Sequence, residues 1–311
     1  MIPKNLQVPL RLELKATPFS KTAFPARGLE SSGPAPRPHI HAEAGRYSLR
    51  LAESCEDRDA ACRLRFKVFN IELGEGLESS YATGLDFDRF DPYCEHLLVE
   101  VRATGQIVGT YRMQSGPSAA RNVGYYSEQE FVLAPYEPLR PGILELGRAA
   151  VDREHRTPEV LTLLWRGIAQ YATRMGLRYL LGCSSLNSTC PADGRQMYGQ
   201  LEWFRVSPEF ETVPTAAYAC PMERKDIDPR DRGAQPSCRE EPLVQNGRGS
   251  GTASATLKVP RLLRAYLMLG ARIAAPPAWD RGFGTIDFLT LLDLESLAPA
   301  ARERFLGPLT P

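Results

Sequence analysis

Between residues 46 and 204 the apolar positions follow two spacings, a period of two that marks strands and a period near 3.6 that marks helices. Tyr47-Ser-Leu-Arg-Leu51 alternates and predicts a short strand. From Asp57 to Phe69, Ala61, Leu64 and Val68 share one side, which predicts a helix. His96 to Val101 is a strand, Thr104-Gly105-Gln106 a turn, and Ile107 to Met113 the partner strand of a hairpin. Gly142 to Val151 is a largely apolar run and predicts a buried strand. Thr157-Pro158-Glu159 opens a helix, with Thr as the cap and Pro at the first helical position. Its apolar face is Val160, Leu163, Leu164, Ile168 and Tyr171, and Gly176 ends it. Tyr179 to Ser184 is a further strand. Pro260 to Ala271 reads as a helix, and Ile286 to Leu292 as a late strand that a hairpin could pair with Ala271–Ala275. This order predicts an α/β (α+β) fold, a mixed central sheet flanked by helices, which the second half of the chain completes.

Proline locates what lies outside that pattern. Residues 1–45 hold seven prolines, and residues 205–256 hold six and then the tract Asn246-Gly-Arg-Gly-Ser-Gly-Thr252. We expect a disordered arm over 1–45 and a single domain over 46–306, interrupted by a Pro/Gly-rich insertion at about 205–256. The 311 residues carry 38 Lys+Arg against 37 Asp+Glu. That balance argues against a nucleic-acid binder and against an acidic disordered chain. Seven cysteines without C-x-x-C spacing fit reduced thiols in the cytoplasm, and no zinc-type set of ligands occurs. No apolar run is long enough to span a bilayer, and the N-terminus shows no secretory h-region. No metal site and no bound cofactor are expected.

Three charged pieces stand out: Arg65-Phe-Lys-Val-Phe69 at the end of the first helix, Asp86-Phe-Asp88-Arg-Phe-Asp91 before the hairpin, and Glu145-Leu-Gly-Arg148 on the buried strand, with Arg112 at the hairpin's far end. Charges among Ile143, Leu144, Leu146 and Val151 are costly unless paired or functional. A spacing of three puts Glu145 and Arg148 on opposite faces of a regular strand; a bulge would bring both to one cleft.

These pieces resemble the autoinducer-synthase-like branch of the GCN5-related N-acetyltransferase (GNAT) fold. Acyl-homoserine-lactone synthases show R-x-x-V-F, E-x-D-x-Y-D, a hairpin Arg and E-L-x-R, and in those places this chain holds Arg65-Phe-Lys-Val-Phe69, Asp86-x-Asp88-x-Phe90-Asp91, Arg112 and Glu145-Leu-Gly-Arg148. Their L-G-W is absent, since the chain reads Leu73-Gly-Glu75. A closer resemblance is to the L-ornithine N(alpha)-acyltransferase family, also called hemolysin-like. It runs through Phe66–Phe69, Asp88 to Val99, Val108 to Arg112, Tyr125-Tyr-Ser to Phe131, Leu144 to Arg148, Leu163–Gly167 and Gly182-Cys183. It resumes at Pro260 to Ala271, Pro277 to Asp280, Phe283 and Asp287-Phe288.

The resemblance implies transfer of a 3-hydroxyacyl chain from the phosphopantetheine thioester of acyl carrier protein to the α-amine of L-ornithine. The product is lyso-ornithine lipid. Homoserine-lactone synthesis, acylation of glycine or lysine, and a non-catalytic carrier-binding module are the alternatives. Direct attack by the amine needs a proton acceptor, an oxyanion donor and an acid for the thiolate. The resemblance places catalysis on Glu145, Arg148, Asp88 and Asp91, with Glu145 as general base or else as an ion-pair partner of Arg112 or Arg148. Asp86, Asp88 and Asp91 would hold the substrate's ammonium groups, and Arg112, Arg65 and Phe69 belong to the same substrate site. Val151, Arg153, Arg156 and Thr157 would hold phosphopantetheine at a helix N-terminus, whose free N–H groups attract phosphate. Tyr198 fits the thiolate acid by position alone, with a packed tyrosine as the competing reading. The chain has no H-x-x-x-x-D, the pair carried by enzymes that add a second acyl chain. Lys258, Arg261, Arg264 and Arg272 form a basic face suited to the acidic carrier protein or to an anionic membrane surface. A cytoplasmic protein, peripheral to the inner face of the plasma membrane, follows from that face as an expectation.

Overall fold

The alternating run at Tyr47–Leu51 (β2) forms a strand between His41–Ala44 (β1) and Glu95–Val101 (β3), and Gln106–Ser115 (β4) returns beside β3 as the expected hairpin. The computed structural model describes residues 37–222 and 257–306. Ile143–Val151 (β5) pairs antiparallel with β4, and Tyr179–Leu186 (β6) then pairs parallel with β5. Thr285–Asp293 (β9) pairs antiparallel with β6 and carries two short strands, Arg272–Ile273 (β7) and Ala278–Asp280 (β8). Among the described residues the result is one nine-stranded mixed sheet in the order β1-β2-β3-β4-β5-β6-β9-β7, with β8 on β9.

The parallel connection is the helix Pro158–Arg174 (α3). Thr157 Oγ caps it by accepting from Val160 N, and Gly176 follows its end at a φ of 66°. Its apolar face, Val160, Leu163, Leu164, Ile168 and Tyr171, is buried against Leu49, Leu97, Val99 and Leu144 of the sheet. A second helix, Cys55–Phe66 (α1), is capped by Ser54 and runs directly into a π-helical turn at Lys67–Leu73. The short helix Gly116–Arg121 (α2) follows β4, and Pro191–Gln200 (α4) follows β6. Arg261–Leu269 (α5) and Pro299–Leu306 (α6) close the described chain. Among the described residues no helix is long and apolar enough to cross a membrane.

Two boundaries differ from the sequence reading. Strand β1 lies within 1–45, because Ala42 packs into the core and pairs with Leu49, so an edge strand precedes the expected start at 46. Residues 205–222 are also part of the fold: Val206, Phe210, Thr212 and Cys220 are buried, with bridges from Pro214 to Phe131 and from Ala219 to Ala278. Pro208 opens a short turn and Pro214 forms the bridge to Phe131, so these prolines lie within ordered structure. The rest of the expected insertion, 223–256, and most of the expected arm lie outside the described residues. Cys55, Cys62, Cys94, Cys183 and Cys220 are free thiols, whereas Cys190 is disulfide-bonded, which departs from a wholly reduced set.

The sheet splits in its middle. β5 and β6 pair only at Ile143 with Tyr179, Leu144 with Leu180 and Glu145 with Leu181. Beyond that point β5 follows β4 while β6 follows β9, and a wedge opens between them. Gly182 stands at the apex. A Cβ there would lie 2.3 Å from Leu146 O, so only glycine lets the two backbones pass.

Candidate active site

A cavity of 280 Å³ fills the wedge. Glu145, Gly147 and Arg148 of β5 line one side, Cys183, Ser184 and Ser185 of β6 the other, and Leu262, Leu263 and Tyr266 of α5 close over it. Both Glu145 and Arg148 reach it because β5 is bulged. Thr110 pairs with Ala150 but Arg112 pairs with Gly147, so Arg148 and Ala149 together stand opposite Tyr111. Arg148 has a φ of 51°, the one positive value outside glycine among the described residues. A left-handed arginine is strained, and the strain is held by its surroundings. Its guanidinium lies between the Phe69 ring (4.3 Å) and the Phe283 ring (5.0 Å) and donates through Nε and Nη2 to Asp86. The π-helical turn after α1 brings Phe69 and Leu73 to the cavity wall.

The three aspartates predicted to hold ammonium groups meet three arginines instead. Arg65, fully buried, donates to Asp86 Oδ1 at 2.8 Å and to both oxygens of Asp91 at 2.7 and 2.9 Å. Arg112 donates to Asp88 Oδ2 at 2.7 Å and to Asp91 Oδ1 at 3.4 Å. Burial works to raise the Asp91 carboxyl, but the Arg65 hydrogen bonds and the Arg65 and Arg112 charges overcome it and hold the group well below the usual carboxylate range. The charges of this lattice balance, and Asp86, Asp88, Asp91 and Arg65 stand behind the cavity wall; Arg112, Arg148 and Phe69 reach the cavity itself. The sequence showed an acidic run and could not show that its partners were already in the chain. His96 lies under the same lattice, its Nε2 3.2 Å from Asp91 O, and burial pulls its ring down to about 4, so it stays neutral.

Glu145 pairs with neither Arg112 nor Arg148. Its carboxylate accepts from Tyr126 N at 2.9 Å, from Ser127 N at 2.8 Å and from Ser127 Oγ at 2.6 Å. Burial raises its pKa, and these hydrogen bonds oppose the rise without cancelling it. Glu145 therefore fixes the turn 126–129 and keeps a carboxylate of increased basicity in the cavity wall, with the Ser127 hydroxyl between.

The predicted donor residues gather at the far end of β5. Thr157 caps α3, Arg156 donates to Val151 O at 3.2 Å and pairs with Glu72 at 2.6 and 2.8 Å, and Arg153 is exposed. Tyr198 does not join the site. It packs with Leu186, Met197 and Ile286, its ring is covered by Arg205 at 3.9 Å, and it lies outside the cavity lining. The late helix is shorter than the expected Pro260 to Ala271: Gly270 at a φ of 104° ends α5, and Arg272 of the expected basic face begins β7.

Sequence reasoning missed a group of acids. Glu130, Asp280 and Asp287 are all buried and present carboxylate oxygens within 4.8 Å of one another. They come from the end of the turn that Glu145 holds, from β8 and from β9. Asp280 and Asp287 lie in the stretch that carries the family resemblance, but each looks like an isolated acid until the β8–β9 hairpin sets Ala278 opposite Asp287.

A family model described as an acetyltransferase (GNAT) domain matches residues 64–166. The L-ornithine N(alpha)-acyltransferase of Brucella abortus is 31% identical over 82% of this chain and 86% of its own length. That of Agrobacterium fabrum is 30% identical over 82% and 83%. Among solved structures, the CoA-dependent acyl-homoserine lactone synthase BjaI covers 87% of this chain and 91% of its own at 13% identity and a TM-score of 0.42. With a GNAT domain matched from the first helix into α3 and relatives about 30% identical aligned over four fifths of its length, this chain belongs to the L-ornithine N(alpha)-acyltransferase family.

Proposed function

We propose that this enzyme moves a 3-hydroxyacyl chain from the phosphopantetheine thioester of acyl carrier protein to the α-amine of L-ornithine, releasing lyso-ornithine lipid. The observation that carries the reading is the split between β5 and β6, which opens a cavity beside a buried carboxylate of raised pKa in a chain of this family. The thioester lies along the wedge with its carbonyl at the bulge, where a strand's backbone groups are left unpaired and can donate to the developing oxyanion. The amine attacks that carbonyl carbon, the C–N bond forms and the C–S bond breaks, and the carrier's pantetheine leaves as a thiolate that takes up the proton the amine gives up. Glu145 takes the amine's proton through the Ser127 hydroxyl, which already donates to it. Arg148 and Arg112 present guanidinium groups to the substrate carboxylate, while Asp86, Asp88, Asp91 and Arg65 position them. No resident cofactor enters this route.

The donor arrives on a protein. The N-terminus of α3 with Arg153 and Thr157 receives the pantetheine phosphate, and Val151 and Arg156 shape its approach. Lys258, Arg261 and Arg264 are exposed near and on α5, beside exposed Leu262 and Met268, and offer a basic, partly apolar surface to the carrier protein and to an anionic membrane. The test is to incubate the purified protein with 3-hydroxyacyl carrier protein and, separately, ornithine, lysine, glycine or S-adenosylmethionine, and to identify products by mass. Acyl-ornithine is expected. An acyl-homoserine lactone, or no ornithine product with any donor, overturns the reading.

A further inference from the structure

The lattice of Asp86, Asp88 and Asp91 is neutralised within the chain, which leaves a dicationic amino acid without an obvious partner for its second charge. The acids left without an ion-pair partner among the described residues are Glu130, Asp280 and Asp287, with Arg148 acting on the two aspartates only at longer range. Among the described residues no lysine, arginine or histidine forms an ion pair with any of the three. Neither oxygen of Glu130 has a hydrogen-bond partner, and neither does Asp287 Oδ1. Asp280 Oδ1 accepts from Gly282 N at 2.7 Å and from Phe283 N at 3.0 Å, which fixes its carboxylate toward the other two. Isolated buried carboxylates are costly, and three together more so. Burial and the neighbouring acids raise Glu130 well above its ordinary range and Asp287 to about 6.

Two further side chains point the same way. Gln114 and Ser184 line the cavity, are 2% and 3% exposed, and leave both Gln114 amide atoms and Ser184 Oγ without a partner. Polar groups are rarely buried unsatisfied in a folded protein unless a ligand or water meets them. Asp287 is the member of the trio that reaches the cavity, with Glu130 and Asp280 behind it. The turn 126–129 links this end to the reacting end: Tyr126 and Ser127 bind Glu145, and Glu130 follows as the cap.

We propose that Asp287, backed by Glu130 and Asp280, binds the side-chain ammonium of the acceptor amino acid and thereby selects an ornithine-like substrate. This assignment rests on the amino-acid acylation proposed above. An ammonium can be held by one carboxylate at the cavity wall with two more behind it, whereas a hard divalent cation needs about six oxygen ligands. The α-ammonium then lies toward Ser127 and Glu145, and the trio decides which amino acid is held there.

The experiment compares ornithine with norvaline, its uncharged analogue of similar length, as acceptors for wild type, Asp287→Asn and Glu130→Gln. In wild type, ornithine is expected to raise the melting temperature and norvaline to leave it nearly unchanged. In Asp287→Asn, kcat/KM for ornithine should fall about a hundredfold, mostly through KM, as for loss of a buried charge contact. The norvaline rate should change less than about threefold, and Glu130→Gln should shift the ratio in the same direction. An unchanged ornithine-to-norvaline ratio in both variants overturns the proposal, and so does equal thermal stabilisation of wild type by the two amino acids. Loss of activity in EDTA that magnesium or calcium restores in wild type but not in Asp287→Asn makes the trio a metal site and also overturns it. Failure of wild type to acylate either amino acid is a separate result that counts against the acylation reading itself.

Discussion

Single residues divide into those that neutralise one another and those that wait for substrate. Arg65 and Asp91 belong to the first kind, and Asp91→Asn removes one partner of a buried charge pair. The variant should lose about 3–5 kcal/mol of stability, measured by denaturant unfolding near neutral pH. Loss of less than about 1 kcal/mol would mean that the lattice carries little of the fold's stability. The pH dependence has a definite sign. Asp91 is depressed in the folded state, so its contribution is present above the ordinary carboxylate value and is lost as pH falls through the depressed one. Asp287 is raised to about 6, so its contribution is present below the ordinary carboxylate value and is lost as pH rises through about 6. The groups facing Asp287 are Glu130, Asp280, Tyr126, Cys183, Ser185, Thr285 and Arg148. Thermal stabilisation by ornithine should therefore be larger at pH 7.5 than at pH 5, and equal shifts at the two values would contradict that assignment. Glu145, Arg148 and Arg112 stood out as candidates because charges on apolar strands are conspicuous, and all three line the cavity. Glu130 did not, because one glutamate after a short turn has no pattern; its meaning comes from β8 and β9, more than a hundred residues later.

At the scale of elements, the decisive features are a glycine and a bulge. Periodicity located the hairpin, α3 and its cap, and the late strand with its partner near Ala271–Ala275, since each is written in local spacing. It could not locate the π-helical turn at Lys67–Leu73 or the bulge at Arg148, because tertiary packing decides both. It did show that Glu145 and Arg148 could share a cleft only through such a bulge, and the register of β4 and β5 has one there. Proline misled at 205–222, where Pro208 opens a short turn and Pro214 bridges to Phe131 within an ordered segment. Gly182 is the element-level test. Gly182→Ala drives a methyl group to 2.3 Å from Leu146 O, so the strands must part or shift at the apex. Overpacking of this kind costs about 1–3 kcal/mol, and the variant should also lose most of its acyl transfer. A variant with wild-type melting temperature and wild-type rate would show that the apex does not set the cavity.

For the whole molecule, near-neutral net charge conceals three regions of different sign: a self-neutralised lattice behind the cavity, an uncompensated acidic end within it, and a basic face on and beside α5. On the proposed function, this arrangement would separate the two substrates by charge, with an anionic carrier outside and a cationic amino acid inside. Salt should therefore raise the KM for acyl carrier protein more than the KM for ornithine, since exposed charges are screened and buried ones are not. Steady-state kinetics between low and physiological salt check this, and equal sensitivity would argue against the basic face as the docking surface. The claim on which the rest depends is that acyl transfer occurs in the β5–β6 wedge with Glu145 as proton acceptor. The most direct measurement is single-turnover transfer from 3-hydroxyacyl carrier protein to ornithine by folded Glu145→Gln, compared with wild type. The rate of amide formation is predicted to fall about 10²–10⁴-fold, the usual contribution of a general base, with the carrier protein still bound; a variant that folds, binds the carrier and transfers at the wild-type rate would contradict it.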